Sequence, residues 1–230
     1  PDYKAAIKKL KEAVVLAPEL EILRNRLGQV YFQNDQPQKA LEQFDRALEL
    51  SKDPPAGYFA SRGQALDELG KLRESEQALR KAWRRDQGNY EIARILAQVF
   101  HRQDKVEEAL EVLDRAIWAD DKLNFEDFFC YHAKLQIYVA EGEIGMLDEE
   151  LKTVKELPET KQDREYAAFM LDQTGQMLLE GKAYRMARKF IDAAVRLDPV
   201  KPEMKARPRV ARKRAGVKKS LEESLRFPGI

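Results

Sequence analysis

LRNRLGQVYFQNDQPQKALEQFDRALEL, residues 23–50, has the pattern of two helices with a turn between them. Apolar side chains recur three and four residues apart on both sides of the polar segment QNDQ, which predicts a pair of amphipathic helices. Gly28 lies inside the first predicted helix, where glycine is about 1 kcal/mol less favourable than alanine. Its position therefore requires a reason in packing or in binding.

The glutamine that follows Gly28 recurs along the chain with spacings of 35, 34, 38 and 40 residues, at Gln29, Gln64, Gln98, Gln136 and Gln176. A turn residue separates the two helices of each unit, at Asp35, Gly70, Asp104, Gly142 and Gly181. Such a period indicates stacked helical repeats. We place them at 21–55, 56–89, 90–123, 128–161 and 168–201. The fourth is degenerate because Leu135 replaces a glycine or alanine.

These residue types and spacings resemble the tetratricopeptide repeat, whose 34-residue pattern is a bulky residue, Leu-Gly, Tyr, Ala, Phe, Ala and Pro. The segments LGQVYF…KALEQFDRAL and TGQMLL…MARKFIDAAVRLDP carry most of that pattern, and the resemblance covers about residues 2–201. It implies an all-α, right-handed superhelical solenoid of antiparallel helix pairs. Gly28, Gly63 and Gly175 are then expected where the first helix of a unit presses on the second.

The two ends of the repeat array and two insertions depart from this regularity. Residues 1–20 match the second helix of a truncated repeat, so we expect that the chain was cut from a longer array. The cut would expose an apolar edge that includes Tyr3, Ile7 and Leu10, through which the chain could self-associate. The alternative is a native solitary helix. The extra residues 124–127 and 162–167 are expected to distort the superhelix locally or to lengthen helices.

The resemblance implies that ligands bind in a groove lined by the first helices. A primary amide offers two donors and an acceptor, so a row of five glutamines is a candidate for gripping the main chain of an extended peptide. The alternative is that this position is merely polar and solvated. The full set of candidate peptide-binding residues is Asn25, Gln29, Phe32, Gln64, Arg94, Gln98, Arg102, Phe129, His132, Gln136, Phe169 and Gln176.

The candidate groove residues differ in chemistry along the chain. Phe32, Phe129 and Phe169 are expected to be apolar anchors, although Phe129 and Phe169 could instead be buried between repeats. Arg94 and Arg102 are expected to provide charge selectivity. The residue types of the carboxylate clamp known in this family are absent, and Glu91 would repel a carboxylate.

The C-terminal segment is electrostatically distinct from the rest. Residues 200–230 carry 10 basic and 3 acidic side chains, whereas residues 1–199 carry 31 basic and 37 acidic ones. We expect residues 202–230 to form a basic capping helix or tail. The alternative is a weak contact with nucleic acid, acidic protein or a membrane surface, through Arg209, Arg212, Lys213, Arg214, Lys218 and Lys219.

Nothing in the sequence indicates catalysis. Two histidines, a single cysteine and no clustered carboxylates predict no metal site and no cofactor, and no glycine-rich phosphate loop occurs. Cys130 cannot form an internal disulfide, which slightly favours a cytoplasmic protein. The chain does not begin with Met, so a targeting signal could lie outside this sequence.

The sequence therefore predicts a non-catalytic scaffold that binds a peptide or protein in its groove. One alternative is a structural unit that self-associates end to end within a larger complex, of the secretion or envelope type. Another is an adaptor that contacts anionic partners through the basic tail. No small-molecule substrate is expected.

Overall fold

The computed structural model describes residues 2–119 and 125–198. Over these residues the chain forms eleven α-helices and no strand, which confirms the all-α prediction. The helices are α1 (Tyr3–Leu16), α2 (Glu21–Gln33), α3 (Pro37–Leu50), α4 (Ala56–Glu68), α5 (Leu72–Arg85), α6 (Tyr90–His101), α7 (Val106–Ile117), α8 (Asp127–Glu141), α9 (Ile144–Glu156), α10 (Lys161–Glu180) and α11 (Tyr184–Leu197). None of them is both long enough and apolar enough to cross a bilayer. The predicted basic segment 202–230 lies outside the described residues.

The chain divides into two compact units, Pro1–Asp121 and Lys122–Ile230, called unit 1 and unit 2 below. Unit 1 contains α1–α7. Its hairpins α2/α3, α4/α5 and α6/α7 pack in sequence, α3 against α4 and α5 against α6. Unit 2 contains α8–α11, and α10 contacts both α8 and α11.

The glycines inside first helices allow close packing of the hairpins. A Cβ atom added at Gly28 would lie 2.5 Å from the ring of Phe44, and one added at Gly63 would lie 2.5 Å from Leu79 Cγ. Gly175 faces Ile191 at the same distance. The packing reason predicted for these glycines is confirmed, because any side chain there would displace the second helix.

The turns within the hairpins share one geometry. Shortly after the first helix of each hairpin, a backbone N–H donates to the carbonyl oxygen five residues earlier, as in Gln36 to Tyr31 (3.0 Å) and Ala183 to Leu178 (2.8 Å). This bond belongs to the Schellman motif, which needs a left-handed residue just before the donor. In the last hairpin that residue is Lys182 (φ 62°), whereas Gly181, predicted as a turn residue, lies in the same turn as the C-cap of α10.

Helix α10 is longer than any first helix of unit 1. It begins at Lys161, and Thr160 caps it in a capping box with Asp163. The extra residues 162–167 therefore extend this helix at its N-terminal end, which was one of the two outcomes expected for the insertion.

The most exposed apolar residues of helix α1 are not the ones predicted from the sequence. Ile7 and Leu10 are partly buried against the core of unit 1, and Val14 is buried within it. The large apolar side chains left exposed at the end of this helix are Val15 (79% exposed) and Leu16 (85%). The apolar edge predicted at Tyr3, Ile7 and Leu10 is thus shifted toward the C-terminal end of α1.

Candidate functional site

A groove of about 530 Å³ opens in unit 1 along its three first helices, α2, α4 and α6. Because α4 contacts both α2 and α6, their exposed faces form one continuous lining. The polar lining consists of Asn25, Gln29, Gln33, Tyr58, Ser61, Gln64, Asn89 and Glu91. The apolar and small residues are Phe32, Phe44, Pro55, Gly57, Ala60, Ile92 and Ile95. This surface is called the amide groove below.

Asn25 has an unusual position in the amide groove. Its side chain is only 7% exposed, yet its Oδ1 atom accepts no hydrogen bond from any described residue. A buried acceptor without a donor destabilises a fold by about 1–3 kcal/mol. The arrangement is therefore typical of a position that a ligand completes.

Two glutamines extend the row of amides from Asn25. Gln29 is exposed and Gln64 is half-buried, and neither forms a hydrogen bond with the residues that the structure describes. Gln98 is also exposed on α6, but it does not line the amide groove. Amides without internal partners are free to bind a main chain.

Tyr58 adds a hydroxyl group to the lining, which the sequence analysis did not predict. Burial raises the pKa of this phenol above its ordinary value of 10.0, the charge of Glu21 raises it further, and Arg26 opposes them. At neutral pH the hydroxyl group therefore remains protonated and can donate as well as accept a hydrogen bond.

The two arginines predicted to select charge differ from each other. Arg102 pairs with Asp67 and also donates to the carbonyl oxygen of that residue at 3.2 Å. The pKa of Asp67 is raised, mainly by burial; Arg102 opposes the rise without cancelling it, and the charge of Glu68 adds to it. Arg102 is thus engaged within the fold, whereas Arg94 is half-buried on α6 and does not line the amide groove.

The other candidate residues lie in unit 2, and their amides are not free. The Nε2 atom of Gln136 lies 3.5 Å from Nε2 of His132, and Gln176 donates to Asp172 Oδ2 at 2.9 Å. Both partners lie one turn earlier on the same helix. The five glutamines are therefore not equivalent.

Phe129 and Phe169 belong to an aromatic cluster formed by Phe125, Phe128, Phe129, Tyr166 and Phe169. The ring of Tyr166 lies 4.7 Å from that of Phe129 and 6.0 Å from that of Phe169, measured between centroids. Phe129 is half-buried, and Phe169 remains 42% exposed. In the sequence, Tyr166 lies within the insertion 162–167. Its spacing of three residues from Phe169 was the signal that placed both rings on one helix face.

No three His, Cys, Asp or Glu side chains in the described ranges come together in a way that would hold a metal ion. Cys130 is buried. The six basic residues proposed for the tail, from Arg209 to Lys219, lie outside the described part of the chain.

Comparison with known proteins agrees with this architecture. The chain is 24% identical over 200 residues to human protein O-mannosyl-transferase TMTC1, a match that covers 86% of this chain and 21% of that protein. The chain thus spans about a fifth of the length of this curated relative.

Several solved structures share the fold. The Cut9–Hcn1 hetero-tetramer of APC/C matches with a TM-score of 0.61 and 12% identity, over 91% of this chain and 39% of the matched chain. The C-terminal part of a TPR repeat-containing protein from Cytophaga hutchinsonii gives 0.60 and 14%, over 85% and 74%. YrrB, described as a TPR protein with an unusual peptide-binding site, gives 0.54 and 22%, over 83% and 93%.

Sequence models of a protein family match the two regions that build the amide groove. Both models describe the tetratricopeptide repeat, one over residues 23–54 and the other over residues 61–123. Together with the helical hairpins, the glycine contacts and the fold shared with the structural neighbours, these matches identify tetratricopeptide repeats in residues 23–54 and 61–123 of this all-α chain.

Proposed function

We propose that this chain is a non-catalytic binding module that holds an extended peptide segment of a protein partner in the amide groove of unit 1. The observation that carries this proposal is the buried Asn25, whose Oδ1 atom lacks a donor in a groove that also presents other amides and two hydroxyl groups. Asn25 lines the groove, so a rotation of its side chain that turns Oδ1 outward allows a main-chain N–H of a bound peptide to supply that donor.

The rest of the lining supports a peptide rather than a small substrate. Gln29 and Gln64 offer donors and acceptors on neighbouring helices, and their amides match the hydrogen-bonding groups of a peptide backbone. Phe32, Ile92 and Ile95 provide an apolar surface for one or two side chains. A groove with apolar contacts and a few placed polar groups is the usual form of a binding site.

Selection from a displayed random-peptide library on the immobilised chain tests this proposal. Selected peptides are then titrated by fluorescence polarisation against the wild type, Gln64→Ala and a control, Gln38→Ala. Gln38 is exposed on α3 and does not line the amide groove. Loss of one hydrogen bond is expected to weaken binding about two- to tenfold in Gln64→Ala, with the control unchanged. Equal affinity for all three proteins would refute groove binding.

The proposed non-catalytic role concerns this chain and not its relatives. The human relative is named as an O-mannosyl-transferase, and we propose that none of the described residues of this chain carries out that reaction. Incubation of the purified chain with candidate mannosyl donors and peptides tests this point, and transfer above background would contradict it.

Self-association is a second candidate function, and the exposed residues Val15 and Leu16 favour it. Adjacent apolar side chains that are 79% and 85% exposed are typical of a contact surface. The double substitution Val15→Ser/Leu16→Ser leaves the core contacts of Ile7 and Leu10 intact. If the chain self-associates through this edge, sedimentation velocity will show a dimer or polymer for the wild type and a monomer for the variant. A wild type that stays monomeric would exclude this candidate.

A further inference from the structure

The charge of the amide groove narrows the class of ligand that it accepts. Of the fifteen described residues that line the groove, Glu91 is the one with a formal charge at neutral pH. We propose that the amide groove selects extended peptide segments that carry a basic side chain opposite Glu91 and rejects segments with an acidic residue at that place. This inference rests on the proposed function and specifies its ligand.

Glu91 is available for such a contact. It is exposed in the first turn of α6, and it forms no ion pair with any residue that the structure describes. Asn89 caps the same turn by accepting hydrogen bonds from the N–H groups of Glu91 and Ile92 at 3.1 and 3.2 Å. The backbone that carries the carboxylate is therefore held in place.

The basic residues on and next to α6 do not cancel this charge. Arg94 lies one turn after Glu91 on the same helix, but it forms no ion pair with Glu91 and does not line the amide groove. Arg102 is paired with Asp67, and neither of these residues lines the amide groove. A ligand carboxylate would consequently meet Glu91 without a lining cation to compensate, whereas a lysine or arginine side chain would find an unpaired carboxylate.

Asn25 points to the same polarity in the ligand. Its free Oδ1 atom requires a donor, and the Glu91 carboxylate accepts only. The two groups lie on α2 and α6, and α4 contacts both of these helices. A segment that crosses the first helices can therefore donate a main-chain N–H at one end and an ammonium or guanidinium group at the other.

Three synthetic peptide libraries test the inference. They are blocked at both ends, share randomised neutral flanking positions, and differ in a central residue that is lysine, glutamine or glutamate. Retention on immobilised wild-type protein is quantified by mass spectrometry. An exposed ion pair contributes up to about 1 kcal/mol, so the lysine library is expected to be retained about fivefold better than the glutamine library. The glutamate library is expected to be retained least.

Two charge-reversal variants identify the residue responsible. Glu91→Lys should reverse the order of the lysine and glutamate libraries. Glu42→Lys changes the net charge by the same amount at an exposed site on α3 outside the groove, and it should leave the order unchanged. Reversal in both variants would show an effect of net charge alone and would overturn the inference.

The failure of this inference can be distinguished from the failure of the proposed function. Equal retention of the three libraries by the wild type, together with reduced retention by Gln64→Ala, would overturn the charge selection and leave groove binding in place. If the wild type retains every library no better than Gln64→Ala does, both the charge selection and groove binding would be overturned.

Discussion

Gly63 provides the sharpest test of the packing that builds the amide groove. In Gly63→Ala the new Cβ atom would lie 2.5 Å from Leu79 Cγ, 2.9 Å from Cδ2 and 3.3 Å from Cδ1. Cγ is the branch point of a fully buried side chain, so it cannot swing away as a flexible end would. Helix α4 must therefore move away from α5.

The magnitude follows from opposing contributions to the free energy of unfolding. Alanine is about 1 kcal/mol better than glycine in a helix, whereas overpacking a core costs about 1–3 kcal/mol. Movement of α4 also strains the buried hydrogen bond from Ser75 Oγ to Gly63 O, 2.7 Å long, which is worth about 1 kcal/mol. We expect Gly63→Ala to lose about 1–2 kcal/mol.

Urea unfolding followed by tryptophan fluorescence measures this loss, because both tryptophans, Trp83 and Trp118, lie in unit 1. The control is Gly57→Ala, where an added Cβ meets no atom within 4 Å. This variant should be as stable as the wild type or slightly more stable.

A double-mutant cycle separates the clash from other effects. Leu79→Ala alone should cost about 2–5 kcal/mol. In that background Gly63→Ala should become stabilising by about 1 kcal/mol, because the clash is gone and the helix preference remains. A loss of the same size in both backgrounds would refute the argument, as would a Gly63→Ala variant more stable than the wild type.

Three further predictions concern single residues. Lys182→Gly should stabilise unit 2 by about 0.5–1 kcal/mol, since Lys182 is left-handed at φ 62°, where a non-glycine residue costs about 1–2 kcal/mol; a lower urea midpoint by circular dichroism would contradict this. Asn25→Leu should raise the stability of unit 1 by about 1 kcal/mol, because it removes a buried unpaired acceptor, and should abolish the binding of selected peptides; binding at wild-type affinity would argue against the role of Asn25. Burial raises the pKa of Glu76, but hydrogen bonds led by that from Lys105 bring it below its ordinary value of 4.5. The ionised form therefore stabilises the fold at neutral pH, and this contribution is lost as the pH falls through the folded pKa. Glu76→Gln should consequently show a smaller decline in urea midpoint between about pH 5 and pH 3, and a decline parallel to that of the wild type would exclude the effect.

The candidate site was predictable in part. The repeat register identified Asn25, Gln29 and Gln64 as groove residues, since side chains on one face of a helix follow its 3.6-residue period. The same register treated Gln136 and Gln176 as equivalent to them. In unit 2, however, each amide interacts with a side chain one turn earlier, His132 or Asp172. This difference depends on the local partner and not on the repeat position.

Other features of the site arise between residues distant in sequence. Arg102 was expected to face a ligand, but Asp67 lies 35 residues earlier and pairs with it across adjacent hairpins. Tyr166 joins Phe129 and Phe169 across α8 and α10, a contact that the pattern of either helix alone does not reveal.

Short-range rules were enough to derive the helices, the hairpin period and the glycines at which two helices touch. Helix periodicity and the volume of a side chain are properties of a residue and its near neighbours, so they can be read from the chain. Whether a polar group has a partner within the protein depends on the folded arrangement, because a hydrogen bond requires two atoms within about 3 Å. The free acceptor of Asn25 and the unpaired charge of Glu91 therefore became visible only after the hairpins of unit 1 had been packed together.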